Sequence, residues 1–194
     1  MTDYINIYDF DRTVYNGNSS IDFFFFAMRK KPGLMRYLPA AIGHAVLYFL
    51  RQEDVGTFKG HFYHFVAAIP DLDSFIKEFW ISHDHNIKMW FKDQSHDRDV
   101  IISASAEFLL QPIVDNLKVK ALLATKVDLK TGKLIGPNCR GQEKVKRLQA
   151  ALPGITIKAA YSDHKVDLPM LKLAEKQYMV KGNKVMPLDP NQLD

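Results

Sequence analysis

Residues Tyr4 to Thr13, YINIYDFDRT, constrain this chain more than any other stretch. They open as a short apolar run rich in β-forming residues, the pattern of a buried strand. They close on two carboxylates, Asp9 and Asp11, followed by Thr13. Period-two alternation aims both acids to the same side. In an open α/β sheet, ligands bind beyond the carboxyl ends of the strands. Two acids there can hold a divalent cation, attack an electrophile or move a proton. They can equally be a polar strand end, so the rest of the chain has to choose.

After Thr13 the pattern turns helical. Asn18-Ser19-Ser20 offers an N-cap before the apolar run Ile21 to Met28, and Lys31-Pro32-Gly33 breaks that helix. A second helix is expected over about 34–51, with Pro39 in its first turns. A third is expected over 54–68, with Phe58, Phe62 and Phe65 on one face. A fourth starts at Asp71 or Asp73 and carries Phe75, Phe79 and Ile87. Residues 15–95 thus form a helical insert, expected as a cap domain. Residues 1–14 and 96–194 form the α/β core.

In that second part, strands are expected over 99–103, 119–124, 155–161 and 177–180. A hairpin is expected with Thr131-Gly132 at its tip. Helices are expected over about 105–113, 141–151 and 168–175, with a loose tail from Pro187 to Asp194. Strands alternating with helices predict a parallel sheet covered on both faces.

Composition narrows the class. A hydrophobic share of 47% supports a sizeable core. The net charge of +4 comes from dispersed basic residues, which argues against nucleic acid as a partner. A single cysteine, Cys139, excludes an internal disulfide and suits a reducing cytoplasm. No basic leader with an apolar stretch precedes the first strand. The expectation is a soluble cytoplasmic protein, its oligomeric state open. The apolar segment Tyr37 to Leu50 is too short to cross a bilayer and contains His44. It is expected as a buried helix. The alternative is a helix on a membrane surface, flanked by Arg29, Lys30, Lys31 and Arg36.

Three strand ends carry reactive groups: Asp9 and Asp11, Ser103, and Asp163 with Asp167. Lys144 starts a helix. Three acids suit Mg²⁺, a serine at a helix start suits phosphate, and a lysine offsets anionic charge. This inventory suits phosphoryl transfer through an acid nucleophile.

In these motifs the chain resembles the haloacid dehalogenase superfamily, in its phosphoserine-phosphatase-like branch. The resemblance runs through Asp9-Phe10-Asp11-Arg12-Thr13, Ile101-Ile102-Ser103, Gly141-Gln142-Glu143-Lys144 and Tyr161-Ser162-Asp163-His164-Lys165-Val166-Asp167, in the family's order. It implies a Rossmann-like parallel sheet with an all-helical cap that opens for substrate and closes against water. It implies a Mg²⁺-dependent phosphatase of a small organic phosphate. Asp9 would be the nucleophile, forming an aspartyl-phosphate, and Asp11 the acid and base. Ser103 would hydrogen-bond the phosphoryl group and Lys144 neutralise charge. Asp9, Asp11 and Asp163 would hold Mg²⁺, with Asp167 orienting Lys144 or the metal's waters. Thr13, Asn18, Ser103, Ala104 and Lys144 would contact the substrate.

Departures bear on the substrate. Phosphoserine phosphatases carry an acid where this chain has Asn18, and a cap arginine where the 54–68 segment has only Lys59. Phosphoserine is therefore disfavoured. Arg12 and His164 stand where the family often has small residues. Bacterial phosphatidylglycerophosphate phosphatases share the look of Cys139 to Val145 and of Tyr161-Ser162-Asp163, so a membrane lipid phosphate is the alternative substrate. A further alternative is a binding protein that keeps the fold without turnover. His61 and His64 share a helix face, and His83-Asp84-His85 follows, but no third ligand is indicated for a second metal. Trp80 and Trp90 are expected in packing.

Overall fold

The structure, a computed structural model, describes residues 4–188. Its six strands are β1 (Tyr4–Tyr8), β2 (Asp99–Ala106), β3 (Ala121–Thr125), β4 (Thr156–Ser162), β5 (Lys176–Lys181) and β6 (Lys184–Pro187). They form one sheet in the order β3-β2-β1-β4-β5-β6. The first five run parallel, and β6 returns antiparallel at the edge. The chain builds outward from β1 to one side through β2 and β3, then to the other through β4 and β5. Such a reversal leaves a crevice at the carboxyl end of the central strand.

Alternation sorts the side chains of the sheet. Ile5, Ile7, Val100 and Ile102 face one side, packed with Val145 and Leu148 of α7 (Gln142–Ala151) and Met170 and Leu171 of α8 (Leu168–Leu171). Tyr8 and Ile101 face the other, packed with Leu109 and Ile113 of α6 (Glu107–Asn116). With both faces covered, the inner strands read as near-continuous apolar runs.

Between β1 and β2 lie α1 (Ser19–Lys30), α2 (Leu38–Phe49), α3 (Val55–Tyr63), α4 (Leu72–His83) and the short α5 (Met89–Lys92). Asn18, Asp54 and Asp71 cap three of them by accepting backbone N–H groups of the first turn. Phe23 packs edge-on against Phe75 and Phe79, joining α1 to α4. Trp80 Nε1 donates to the Leu109 carbonyl at 2.7 Å, tying α4 to α6. These helices share one apolar cluster with the sheet face.

Several expectations shift. The helix expected over 34–51 is a 3₁₀ turn, Pro32–Tyr37, followed by α2. Pro39 has no N–H to donate, so it sits at the start of a new helix. The 54–68 helix breaks after Tyr63 into a 3₁₀ turn, His64–Ala68. Ile87 lies beyond α4 and bridges to Tyr15. The hairpin reduces to one bridge, Val127 to Leu134, and the 168–175 helix to a single turn. Strand β6 was not expected, and Pro187, expected to open the tail, ends it; residues 189–194 of that tail lie outside the described residues.

The largest correction concerns α2. It was expected to be buried, yet Ala41 alone of its twelve residues is. One side packs on α3, where Tyr48 stacks on Phe58 with ring centres 5.2 Å apart. Ile42, Val46, Leu47 and Phe49 are exposed.

Candidate active site

The backbone leaves β1 still paired to β4, with Asp9 N donating to the Tyr161 carbonyl at 2.9 Å. It then turns sharply. The Phe10 carbonyl accepts from Thr13, Val14 and Tyr15. Arg12 adopts a left-handed backbone with φ 59°, which explains a glycine preference at such a turn. Lys88 fixes the turn from behind. Its buried ammonium donates to the Arg12 carbonyl and, at 2.6 Å, to Gly182 of the β5–β6 turn.

Asp9 is buried at the base of a cavity of about 300 Å³. Its Oδ1 lies 2.6 Å from Lys144 Nζ, and its Oδ2 accepts from Thr13 at 3.4 Å. Lys144 Nζ also donates to Asp167 Oδ2 at 2.8 Å, an oxygen that accepts from Ser162 as well. Asp167 Oδ1 is buried without a hydrogen-bond partner. Gly141 places the lysine. Its φ of 56° with ψ of −123° starts α7 one turn before Lys144, a conformation that suits a residue without Cβ.

Charge is concentrated here. Burial raises the Asp9 pKa; Lys144 opposes this, and Asp167 and Asp11 reinforce it. Burial would lower that of Lys144, but Asp9 and Asp167 outweigh it and hold the ammonium charged. Asp163, just past β4, is raised by burial, while Arg12 and His164 pull it down.

Asp11 is held through both oxygens. Oδ1 accepts from Ser19 N at 2.7 Å, at the start of α1, and Oδ2 from Ser105 Oγ at 2.5 Å. Ser105 Oγ lies 2.9 Å from Ser20 Oγ, which lies 2.7 Å from the Tyr63 hydroxyl. A hydroxyl has one proton. When Asp11 is ionised, Ser105 gives its own to Asp11, so Ser20 donates to Ser105 and Tyr63 to Ser20. This directed chain joins Asp11 to two helices of the insert.

Ser103 is buried, and its Oγ accepts from Ser105 N at 3.1 Å, leaving its proton for another acceptor. Asp9, Asp11, Asn18, Ser103, Ala104, Lys144, Asp163 and Asp167 all line the one cavity. Thr13 does not: it is fully buried and supports Asp9, in place of the substrate contact expected of it. Asn18 caps α1 through Oδ1, 3.0 Å from Ile21 N. His164 caps the next turn, with Nδ1 accepting from Val166 N at 3.0 Å.

Several groups in the cavity had no role from sequence, among them Lys59, Asn138 and Arg140. Lys59 Nζ reaches from α3 to the Ala104 carbonyl at 2.6 Å and Asn138 Oδ1 at 2.8 Å. Burial lowers its pKa to about 8, against the pull of Asp11. The only sequence signal for it was a lysine among aromatic residues. Ser20, Tyr63 and Ser105 gave none.

A family model of haloacid dehalogenase-like hydrolases matches residues 7–172. The chain belongs to that family. A comparison with curated proteins finds no match. Among solved structures, this hydrolase is similar to a protein of unknown function from Bordetella pertussis Tohama I. There the TM-score is 0.77 at 19% identity, over 91% of this chain and 89% of that one. It is also similar to a phospho-aspartyl intermediate analogue of phosphoserine phosphatase, with TM-score 0.56 and 17% identity over 91% and 86%. A phosphoserine phosphohydrolase-like protein from Francisella tularensis subsp. tularensis SCHU S4 gives 0.57 and 17% over 90% and 85%. These likenesses show a fold shared with phosphoserine phosphatases.

Elsewhere, this hydrolase separates the expected histidine pair. His64 Nδ1 faces the Thr131 carbonyl at 3.0 Å. His61 instead stacks on His44, ring centres 3.5 Å apart and nearly parallel, and His44 Nδ1 pairs with Glu53 at 2.8 Å. The ligand atoms of His44, Glu53 and His61 lie within 4.8 Å of one another. His44 and Glu53 are joined by a hydrogen bond, and His61 joins them through ring stacking. Trp80 packs against Phe10 and Tyr15, and Trp90 against Tyr8 and Tyr161. Cys139 is buried with its thiol pKa raised to about 11, unsuited to attack.

Proposed function

We propose that this hydrolase is a cytoplasmic, Mg²⁺-dependent phosphatase of small organic phosphate monoesters, acting through an aspartyl-phosphate. One observation carries the reading. A buried ammonium, Lys144, is clamped between Asp9 at 2.6 Å and Asp167 at 2.8 Å, in a cavity shared with Asp11, Ser103 and Asp163. Burying three charges together is costly, and a hydrophobic trio would serve stability as well. The arrangement makes sense as an oriented, ionised nucleophile.

The residues fit a magnesium ion. Asp9, Asp163 and the backbone carbonyl of Asp11 would hold it, an all-oxygen donor set. Two features call for added positive charge and water: the raised pKa values of Asp9 and Asp163, and the orphaned Asp167 Oδ1. When bound, the ion offsets the charge of the phosphoryl group.

The chain's own groups divide the work. Asp9 attacks phosphorus with a carboxylate oxygen. As the ester P–O bond breaks, Asp11 gives its proton to the leaving oxygen. Asp11 then takes a proton from water. That water attacks phosphorus and breaks the bond to Asp9, releasing phosphate. Ser103, its proton free, donates to a phosphoryl oxygen, and Lys144 offsets the developing charge. The helical insert serves as the cap that covers this chemistry.

Substrate preference follows from the walls. Asn18 uses its Oδ1 as a helix cap and carries no charge for a substrate amine, so phosphoserine stays disfavoured. Ile21, Val55, Phe58 and Phe62 make an apolar wall, with Lys59 and Arg140 as cations. This favours a phosphate ester with an apolar body.

The test is hydrolysis of an aryl phosphate with Mg²⁺ and with EDTA, followed by a panel of phosphoserine, sugar phosphates, nucleotides and a phosphatidylglycerophosphate. Magnesium-dependent release is expected. Binding of Mg²⁺ with no ester turned over would favour the non-catalytic alternative.

A further inference from the structure

We infer that the exposed face of α2 docks on an anionic lipid bilayer and holds the cavity mouth against it. Ile42, Val46, Phe49 and Leu50 fall at i, i+4, i+7 and i+8, one face of the helix and its cap. They are 54%, 50%, 79% and 61% exposed. Met35 in the preceding turn and Phe25 on α1 are exposed too. Large contiguous apolar patches on a protein surface mark contact sites.

Charge identifies the occupant. From Phe23 to Gln52 the chain carries Arg29, Lys30, Lys31, Arg36 and Arg51 and no acidic residue. Arg36 and Arg51 flank α2 in sequence and are exposed, whereas Lys30 is paired with Glu78 of α4. An apolar helix face flanked by basic side chains matches the interface of an anionic membrane. A two-fold contact between copies would set the same patch, with its same-sign charges, against itself. No described helix is long and apolar enough to cross a membrane, so α2 would lie in the surface.

The helix that carries the patch also reaches the cavity. Tyr48 of α2 lines it, beside Val55 and Phe58 of α3 and the exposed Ile21 of α1. With α2 seated on lipid, an acyl tail would follow this wall while the phosphate headgroup reached Asp9. That substrate step rests on the phosphatase reading; the docking does not.

The test is flotation of the full-length protein with phosphatidylcholine vesicles, with and without phosphatidylglycerol. Binding is expected only with the anionic lipid, and should weaken as salt is raised. The double variant V46S/F49S should bind at least tenfold more weakly. Arg36→Gln should bind about fivefold more weakly. Both should keep wild-type hydrolysis of a soluble aryl phosphate. Absence of binding to anionic vesicles, or unchanged binding of V46S/F49S, overturns the docking. A wild-type dimer in sedimentation that V46S/F49S splits, without vesicle binding, assigns the face to a second copy instead. Phosphate release from phosphatidic acid in the same vesicles tests the substrate step. Aryl phosphate hydrolysed but phosphatidic acid untouched overturns that step. Vesicle binding with neither ester hydrolysed overturns the phosphatase reading and leaves the docking standing.

Discussion

Lys144 Nζ lies 2.6 Å from Asp9 Oδ1, across 135 positions of sequence, with both groups buried. Replacing the lysine by methionine leaves Asp9 and Asp167 facing each other without a cation. Lys144→Met should lower kcat by about a hundredfold or more. It should also destabilise the fold by about 3–5 kcal/mol, as removing one partner of a buried pair does. Aryl phosphate turnover and urea denaturation read the two effects separately.

Asp9→Asn keeps the shape of the side chain and removes its nucleophilic charge. Burial already disfavours that charge, so the folded state should tolerate the change. Turnover should vanish while the thermal midpoint stays within a few degrees. Substantial residual hydrolysis would remove Asp9 from the role of nucleophile.

Ser105 acts through Asp11. Ser105→Ala should lower kcat about tenfold with little change in KM, because Asp11 loses one of its two anchors. Ser105→Thr keeps the hydroxyl and should restore most of the rate. Failure of threonine to rescue would point to a packing effect in place of a positioning one.

Lys59 sets a pH dependence in substrate binding. Its pKa is lowered to about 8, so it is charged below that pH and neutral above it. Esters with a second anionic group should show a KM that rises as pH passes about 8. Lys59→Gln should flatten this rise. Esters without such a group should not show it, so paired KM profiles decide the matter.

Gly141 carries the turn that delivers Lys144. Gly141→Ala forces a Cβ into a positive-φ conformation, close to the Val166 carbonyl at 3.4 Å. The cost should be about 1–3 kcal/mol, seen as a lower urea midpoint. A loss of kcat larger than the loss of stability explains would show that the turn also aims the lysine.

The sequence by itself determined the framework of this protein. Apolar runs marked β1 to β5, and Asn18, Asp54 and Asp71 marked helix starts, because caps and periodicity are local physics. It also singled out Asp9, Asp11, Ser103, Lys144, Asp163 and Asp167, since each sits at a strand end or helix start in a readable motif. The tertiary structure decided which of these meet. Strand order, with β1 between β2 and β4, brings Ser103 and Asp163 to the two sides of Asp9. It also decided what has no local signature: the chain from Asp11 through Ser105 and Ser20 to Tyr63, the reach of Lys59, and Thr13 supporting Asp9 from outside the cavity. The fate of α2 shows the limit most plainly. An apolar helix has the same composition whether it is covered or exposed, and only the packing of its neighbours tells the two apart.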